Sequence, residues 1–265
     1  MQTFQLHNHC QKLQPFTCWR CLKACRHPVR QRRSGLHIRA GSSMAPGKRE
    51  YDQRWNKIWE EGLNAGEQFD ASSSSPALLA MIKEGKLQVR GKRVFVPGCG
   101  RGYDVVEFAK QGAVSVVGLE LVPEAATSAQ DHLYNSDLDQ TQRERSKVTT
   151  GDFFDVGAPN SYDIGYDYTF FCAMEPSMRQ KWAEAWAQWL TPGGELVTLM
   201  FPVEAEGRQG PPWPVPLQLY EDTLRPAGFV RTYLEQVPDE QCHKRREGKT
   251  WIGRWTKQMP QEGQQ

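Results

Sequence analysis

The chain has 265 residues, which suits one sizeable domain with an extension. No apolar run reaches the ~18 residues that a membrane helix needs, so a soluble protein without a membrane partner is expected. Residues 1–49 hold ten of the 33 Lys and Arg and no Asp or Glu, so 23 basic residues face all 31 acidic ones in the remainder. This acidic remainder lacks the basic surplus typical of nucleic-acid-binding proteins, and no nucleic-acid partner is predicted.

The basic segment at the start of the chain has the composition of an organelle transit peptide. Residues 1–43 are rich in Arg, Gln, His and Ser and show no clear helical or strand periodicity. Residues 38–40 resemble a plastid-type processing site, so a plastid location is expected, with the mitochondrion as an alternative. Translation from Met44 would instead leave the protein in the cytoplasm. The folded domain is therefore predicted to span residues 44–265.

The same segment contains a cluster of cysteines that raises a second interpretation. Cys18, Cys21 and Cys25 are closely spaced and His27 follows them, which are the ligand types of a small zinc site. Their spacing is irregular and no second pair follows, so we predict no metal. The three cysteines of the remaining chain are too scattered for a disulfide framework, which favours a reducing compartment.

The apolar periodicity and the glycine and proline positions predict alternating helices and strands. A loop is expected over 63–76, a charged connector over 136–146 and a glycine hinge over 190–194. The predicted helices cover 50–62, 77–87, 123–134, 177–190 and 217–224, with a further helix beginning after residue 102. The predicted strands cover 94–96, 115–119, 147–150, 163–171, 195–201, 229–236 and 250–256. This alternation predicts an α/β fold with a mostly parallel sheet covered by helices on both faces.

The stretch RVFVPGCGRGYDVVEF, residues 93–108, carries the first functional signal. A short buried strand leads into a turn containing Gly98, Gly100 and Gly102, and an amphipathic helix follows. Glycines let the backbone approach a ligand closely, and the helix start offers free N–H groups. A glycine pattern alone does not identify that ligand, because the spacing G-x-G-x-G differs from the dinucleotide fingerprint.

Acidic residues near the predicted strand ends narrow the choice of ligand. Glu120 ends the second strand, where a carboxylate accepts hydrogen bonds from both hydroxyls of a ribose. Asp104 follows the glycine turn directly, where a pyrophosphate would disfavour an acid. Asp152 and Phe153 follow the third strand, where they suit an adenine amino group and ring. A helix cap or solvated turn is the alternative role for Asp104 and Asp152. Together the pattern favours S-adenosylmethionine over NAD.

The chain resembles the plant, algal and fungal thiol/halide methyltransferases of the thiopurine S-methyltransferase family. The matching stretches span residues 51–255 and are WNKIWEEG, VFVPGCGRGYDVVEFA, VVGLE, GDFF, DYTFFCAMEPSMRQKWA, LTPGGELVTLMFP, GPPWPV and IGRW. The resemblance implies a Rossmann-like class I methyltransferase fold with a mostly parallel seven-stranded sheet and an N-terminal helical lid. It implies S-adenosylmethionine as the cofactor and methyl transfer to small anions or thiols such as hydrosulfide, thiocyanate, halides and organic thiols.

The resemblance also changes the interpretation of the aromatic residues before the sheet. Trp55 and Trp59 lie four residues apart on one helix face, which by itself favours core packing over a lid. The family assigns them to the cofactor pocket instead. Phe69 and Asp70 stand where relatives carry Trp-Asp, and Glu120 stands where many carry Asp. The loop before Phe69 departs from the form common in plants, so the substrate pocket is open to differ from theirs.

Further family matches concern the methyl and acceptor side. Gly98, Asp152, Phe153 and Tyr168 match cofactor-contact positions, and the Tyr168 hydroxyl is predicted to steady the sulfonium or the incoming anion. Arg179 is predicted to attract the anion, with a solvated helix charge as the equal alternative. The stiff segment 210–214, GPPWP, is predicted to roof the acceptor pocket, with a rigid surface turn as its alternative.

Other residues of this region are assigned to the core. Cys172 is predicted to be a small buried apolar residue. Trp182, Trp186 and Trp189 recur with helical spacing and are predicted to face the core. No acid–base pair is evident, which suits an acceptor that is already an anion.

Three rival functions and one open property complete the expectations. The rivals are a nicotinamide oxidoreductase, a non-catalytic cofactor-binding protein, and a methyltransferase for nucleic acid or protein. The glycine spacing disfavours the first, and the acidic domain disfavours the last. The protein is expected to be a monomer with a small-molecule partner.

Overall fold

A computed structural model of the chain describes residues 48–155 and 158–259. The helices are α1 (Lys48–Glu60), α2 (Pro76–Lys83), α3 (Tyr103–Lys110), α4 (Pro123–Asn135), α5 (Gln140–Glu144), α6 (Arg179–Trp189) and α7 (Leu217–Leu224). The strands are β1 (Arg93–Pro97), β2 (Ser115–Glu120), β3 (Ser146–Thr150), β4 (Tyr162–Tyr168), β5 (Leu190–Met200), β6 (Phe229–Gln236) and β7 (Trp251–Lys257).

The seven strands form one sheet in the order β3-β2-β1-β4-β5-β7-β6. The first five strands of this order pair in parallel, and β7 runs antiparallel to both β5 and β6. The predicted α/β class with a mostly parallel seven-stranded sheet is thus confirmed. The strand order reverses between β1 and β4, and in such sheets the crevice at the carboxyl ends of the strands is where ligands bind.

The central strands are buried on both faces because their side chains alternate between two cores. Val94 and Val96 pack with α2, α3 and α4 on one face, whereas Phe95 packs with α6 and α7 on the other. The period of two in a strand places neighbours on opposite faces, which explains the continuous apolar run of β1. Trp182 and Trp186 are fully buried in the second core and Trp189 nearly so, as predicted.

The strand register brings the glycine turn and the acid of β2 to the same level of the sheet. Pro97 pairs with Leu119, so the residues that follow them, Gly98 and Glu120, lie side by side. Glu120 in turn pairs with Thr150 of β3, and its carbonyl accepts the N–H of Gly151 at 2.8 Å. The chain segments that follow β1, β2 and β3 therefore lie together at the carboxyl-end edge of the sheet.

Strand β4 ends earlier than predicted, at Tyr168 instead of residue 171. Thr169 adopts a positive φ of 60°, which takes the chain out of the extended conformation. The Asp167 carboxylate then accepts the N–H of Phe171 at 3.1 Å, which stabilises a 3-10 turn over Phe171–Ala173. A buried side chain thus ended a strand whose apolar pattern continued.

Two further element predictions need correction. The connector 136–146 contains α5, which begins with a capping box in which Asp139 and Gln142 bond each other's backbone N–H. The predicted hinge 190–194 lies inside β5, where the pairing with β4 shifts register and Gly193 has a φ of 75°. Helices α1, α2 and α6 match their predictions with ends moved by one to four residues.

Some sequence predictions lie outside the described residues. They are the transit peptide of residues 1–43 and the alternative zinc site within it. Within the part of the chain that the structure covers, no helix has both the length and the apolar character needed to cross a bilayer.

Candidate functional site

A cavity lies at the carboxyl ends of β1, β2, β3 and β4, beneath α1. This is the edge of an open α/β sheet at which ligands bind. Aromatic and apolar groups form most of its wall, and two carboxylates join them. It is lined by Tyr51, Trp55, Trp59, Phe69, Gly98, Leu119, Glu120, Leu121, Gly151, Asp152, Phe153, Phe154, Thr169, Phe170, Ala173 and Met174.

Glu120 presents a buried carboxylate to this cavity. The residue is 8% exposed, and its carboxylate accepts the N–H of Gly100 at 2.5 Å and that of Leu121 at 3.2 Å. Burial raises its pKa to about 7, and these two hydrogen bonds act against the rise. The acid of β2 thus connects the glycine turn to the cavity wall, at the position where a ribose diol was predicted to bind.

The outer wall of the cavity belongs to α1 and the loop behind it. Tyr51, Trp55 and Trp59 lie on one helix face at spacings of four, and all three line the cavity. The ring of Phe69 contacts Trp55 edge-on with centroids 5.3 Å apart and Trp59 at 6.3 Å. We call α1 together with residues 61–75 the lid. The placement of Trp55 and Trp59 in the cavity agrees with the family expectation and departs from simple core packing.

The three glycines of the turn have different surroundings. Gly98 lines the cavity, and a Cβ built there would lie 2.5 Å from the Phe170 ring, so only glycine fits. Gly100 has a φ of 56° and gives its N–H to Glu120, whereas a Cβ on it would meet nothing. Gly102 packs against Ala129 of α4 and is not among the cavity-lining residues. Gly100 is likewise not among the lining residues, so Gly98 alone of the three lies at the cavity wall, and the prediction that all three pass beneath the ligand stays a prediction.

Asp152 and Phe153 stand where the third strand enters the cavity. One Asp152 carboxylate oxygen accepts the N–H of Phe154 at 3.0 Å, which folds the chain into a turn. The Phe153 ring is 4% exposed and stacks on Phe95, with centroids 6.1 Å apart. Asp152 thus stabilises a turn, as in the alternative interpretation, and also lines the cavity. Phe153 lines the cavity as well.

Asp104 and Tyr168 are not among the lining residues, which corrects the expected position of both. The Asp104 carboxylate accepts the N–H of Ser75 at 3.2 Å, and burial raises its pKa to about 7. The Tyr168 ring stacks on His243 and lies 4.9 Å below the Arg246 guanidinium. Residues 166 and 168 of β4 face the core that contains α2 and α3, whereas the cavity uses residues 169 and 170.

Arg179 also lies outside the cavity wall, and it is not the solvated helix charge offered as an alternative. It is 8% exposed, its guanidinium lies 5.2 Å from the Phe171 ring centre, and burial lowers its pKa. Its Nε has no hydrogen-bond partner among the described residues. The segment 210–214 is attached next to it, because the Trp213 N–H donates to the Cys172 carbonyl at 2.7 Å. This segment does not line the cavity. If it roofs an acceptor pocket as predicted, that pocket lies beside the cavity.

Several residues of the site escaped the sequence analysis. Tyr51 continues the spacing of the two lid tryptophans, so the signal was present in the helical pattern. Phe170 and Met174 follow the early end of β4, which the apolar pattern hid. Cys172 is buried as predicted, and burial raises its pKa to about 12.

The residues of the cavity suit S-adenosylmethionine. Glu120 and Asp152 offer carboxylates at neighbouring strand ends, and aromatic rings enclose the space between them. The Trp55 Nε1–H is buried without a hydrogen-bond partner among the described residues, so the lid carries a donor that a polar ligand would satisfy. Because Gly98 has no side chain, the space beside the Phe170 ring stays open, whereas a Cβ at this position would collide with the ring.

Solved structures show which known proteins share this fold. A Burkholderia thailandensis 1,6-didemethyltoxoflavin-N1-methyltransferase with bound S-adenosylhomocysteine superposes with a TM-score of 0.60 at 18% identity, over 82% of this chain and 92% of that one. A SAM-dependent methyltransferase from Methanosarcina mazei gives 0.55 at 16% identity, over 67% and 97%. The chain thus has the Rossmann-like fold that these methyltransferases share.

The family is shown by sequence comparison. The family described as Thiopurine S-methyltransferase (TPMT) matches residues 50–260, and this chain belongs to that family. Similar relatives include the Arabidopsis thaliana "Probable thiol methyltransferase 2", 37% identical over 77% of this chain and 84% of the relative. The Brassica oleracea "Thiocyanate methyltransferase 1" is 35% identical over the same shares. The resemblance and the cofactor predicted from the sequence are confirmed, and the roles of single residues stay predictions.

The buried acids predict how stability depends on pH. The folded-state pKa is about 7 for Glu120 and about 6 for Asp167, because burial disfavours their charged forms. In the unfolded chain such groups titrate near about 4, so their favourable contribution is complete below that pH. It is lost as pH rises through the folded-state values. We expect Glu120→Gln to flatten the fall in urea-unfolding free energy between pH 5 and pH 8.

Asp163 provides the control for this experiment. Its ion pair with Arg93 lowers its pKa, so its contribution changes only at acidic pH. Asp163→Asn should therefore leave the slope between pH 5 and pH 8 unchanged. An unaltered slope in Glu120→Gln would contradict the assignment of a raised pKa to Glu120.

Proposed function

We propose that this enzyme methylates small anionic or thiol acceptors, such as thiocyanate, hydrosulfide, halides and organic thiols. The observation that carries the proposal is the buried Arg179, whose Nε lacks a partner among the described residues. Arg179 forms no ion pair among the described residues, and the Glu206 carboxylate acts on it only from a distance. A buried arginine without a close counter-ion is costly, and an anionic acceptor would supply one. The names of the Arabidopsis and Brassica relatives, a probable thiol methyltransferase and a thiocyanate methyltransferase, support the same acceptor class.

A second unpaired donor lies near this arginine. The half-buried Trp213 has an Nε1–H without a partner among the described residues, and its backbone N–H binds the Cys172 carbonyl. Cys172 lies close enough to Arg179 for the guanidinium charge to lower the thiol pKa against the dominant effect of burial. The two unpaired donors therefore border the same segment, Phe171–Ala173, which follows the cavity-lining Phe170.

The chemistry asks little more of the protein than alignment and exclusion of water. S-adenosylmethionine supplies a methyl group on a sulfonium, which is already a good leaving group. Glu120 and Asp152 would hold the adenosine part, and the lid aromatics would keep water from the acceptor. Burial raises the pKa of Tyr168, so its hydroxyl stays protonated, but its ring packs against His243 on the other face of the sheet. We therefore propose that the Arg179 guanidinium alone of these two orients the acceptor anion.

Arg179→Gln tests the acceptor proposal. We expect the KM for thiocyanate and iodide to rise about tenfold, since a charge-assisted hydrogen bond contributes about 1.5–3 kcal/mol. The dissociation constant of S-adenosylhomocysteine should stay unchanged, because the cofactor cavity does not include Arg179. The measurement is headspace chromatography of methyl products with the full chain.

Arg143→Gln is the matched control, because Arg143 is a half-buried arginine of α5 whose one side-chain bond among the described residues goes from its Nη2 to the Ser136 carbonyl. An unchanged KM for anions in Arg179→Gln would refute the role of Arg179. No product with iodide, thiocyanate, hydrosulfide or an organic thiol would refute the acceptor class. Cofactor affinity without turnover would favour a binding protein instead.

We also propose that the protein is a plastid enzyme and a monomer. The acid-free, basic residues 1–43 support import into an organelle. A fluorescent fusion of residues 1–45 tests the location, and accumulation in mitochondria or cytoplasm would refute it. Sedimentation of the full chain at two concentrations tests the monomer.

A further inference from the structure

The lid loop is fastened to the domain at one residue, Asp70. Its carboxylate accepts the N–H of Gly66 at 3.1 Å and that of Ser72 at 2.7 Å, so it shapes the loop itself. The same side chain is 3% exposed and forms an ion pair with the Nε of Arg101 at 3.0 Å. The Tyr103 hydroxyl lies 3.3 Å from one of its oxygens. A single buried carboxylate therefore joins the loop to Arg101 of the glycine turn and to Tyr103 at the start of α3.

Arg101 contacts the lid at three places. Besides the ion pair with Asp70, its Nη2 donates to the Leu63 carbonyl, and its guanidinium lies 5.7 Å from the Trp59 ring centre. Its Nη1 donates to the Ser128 hydroxyl of α4 at 2.6 Å, which fixes the side chain from the domain side. A planar guanidinium with several donors suits this task, because each contact restricts the same rigid group.

The attachment point lies next to the cofactor cavity. Phe69 precedes Asp70, and its ring contacts both lid tryptophans of the cavity wall. The Phe69 carbonyl accepts a hydrogen bond from Arg246 at 2.7 Å, so a second arginine fixes the same place. On the other side, Arg101 follows Gly100, whose N–H binds the Glu120 carboxylate. The ion pair thus links the two walls between which the cofactor is held.

We propose that Arg101 is a positioning residue for S-adenosylmethionine, and that its ion pair with Asp70 sets how fast the cofactor leaves. Opening the pair frees residues 61–75 and moves Phe69 away from Trp55 and Trp59. The aromatic wall then no longer encloses the ligand, and the dissociation rate rises. The inference concerns the cofactor alone, so it stands or falls independently of the proposed acceptors.

Arg101→Gln and Asp70→Asn test the inference in the full chain. We expect each to weaken S-adenosylhomocysteine binding about tenfold in calorimetry, because each removes the ion pair that holds the loop against the glycine turn. Release of radiolabelled cofactor on filters should accelerate by a similar factor. The KM for S-adenosylmethionine should rise while that for the acceptor stays constant.

Two further readouts separate positioning from general destabilisation. In the free protein, hydrogen exchange should accelerate at the amides of residues 61–75 and remain unchanged in the central strands. The double variant should bind the cofactor no more weakly than the worse single variant, because each change breaks the same pair. Additive effects in the double variant would overturn the inference.

Arg93→Gln is the matched control. Arg93 pairs with Asp163 at 2.8 Å at the amino ends of β1 and β4, away from the cavity. The Arg93→Gln variant should have a lower free energy of unfolding but unchanged cofactor affinity and unchanged hydrogen exchange in the lid. Asp70→Asn keeps the test decisive if Arg101→Gln fails to fold, because the amide oxygen still accepts the Gly66 and Ser72 N–H groups. Wild-type affinity, release and exchange in Asp70→Asn would overturn the proposal.

Discussion

Glu120→Ala is expected to weaken S-adenosylmethionine binding by about 1.5–3 kcal/mol, which corresponds to roughly tenfold to more than a hundredfold. The carboxylate faces the cavity at the end of β2, and a ribose diol there would lose one or two charge-assisted hydrogen bonds. The substitution also frees the Gly100 N–H, which holds the glycine turn against β2. Calorimetry with S-adenosylhomocysteine measures the loss.

The comparison with Glu120→Asp separates the two contributions. A shorter carboxylate keeps the charge but cannot reach both the Gly100 N–H and the ligand in the same way, so an intermediate loss is expected. If Glu120→Ala binds the cofactor like the wild type, the ribose assignment is wrong. Equal losses in the two variants would mean that the glycine turn, and not the diol contact, depends on this side chain.

Asp167→Ala is expected to lower the free energy of unfolding by about 3–5 kcal/mol, because it leaves two buried donors without an acceptor. Asp167 is 1% exposed, and its oxygens accept the Phe171 N–H at 3.1 Å and the Trp182 Nε1–H at 2.8 Å. These bonds fix the segment that carries Phe170 and Met174 into the cavity. Urea unfolding monitored by circular dichroism measures the loss.

A second aspartate of β4, Asp163, provides the comparison for this prediction. Asp163 is near the start of β4, its side chain is 25% exposed, and it pairs with Arg93 at the surface. Asp163→Ala should therefore cost only about 1 kcal/mol or less. Similar losses for both substitutions would show that the buried position of Asp167 adds nothing.

The fold followed from the sequence because local patterns and global packing agree over most of the chain. The apolar run of β1, the glycines after it and the alternation of elements were enough to place a parallel sheet with its ligand edge. The features of the fold that the sequence patterns did not predict depended on single side chains. A carboxylate at Asp167 ended β4 early, and the capping box of Asp139 and Gln142 began α5 within a segment dominated by charge.

The candidate site was predictable where its residues directly follow a strand at the carboxyl ends of the sheet. Gly98, Glu120, Asp152 and Phe153 all line the cavity, as expected from their position after β1, β2 and β3. Tyr168 was misplaced because the face on which its side chain emerges depends on the exact end of β4. Asp104 was misplaced because it lies in the first turn of α3, where its carboxylate accepts the Ser75 N–H. Arg101 was missed because nothing in the glycine turn reveals a contact with a loop 30 residues earlier.

Two of the nine tryptophans lie where they would give the protein a built-in optical reporter. Trp55 and Trp59 line the cofactor cavity, whereas Trp182, Trp186 and Trp255 are sealed in the core beside the sheet. A ligand entering the cavity changes the polarity and quenching directly around the first pair, whereas Trp182, Trp186 and Trp255 stay shielded from solvent. Cofactor occupancy is therefore readable from the intrinsic ultraviolet emission of the unlabelled enzyme.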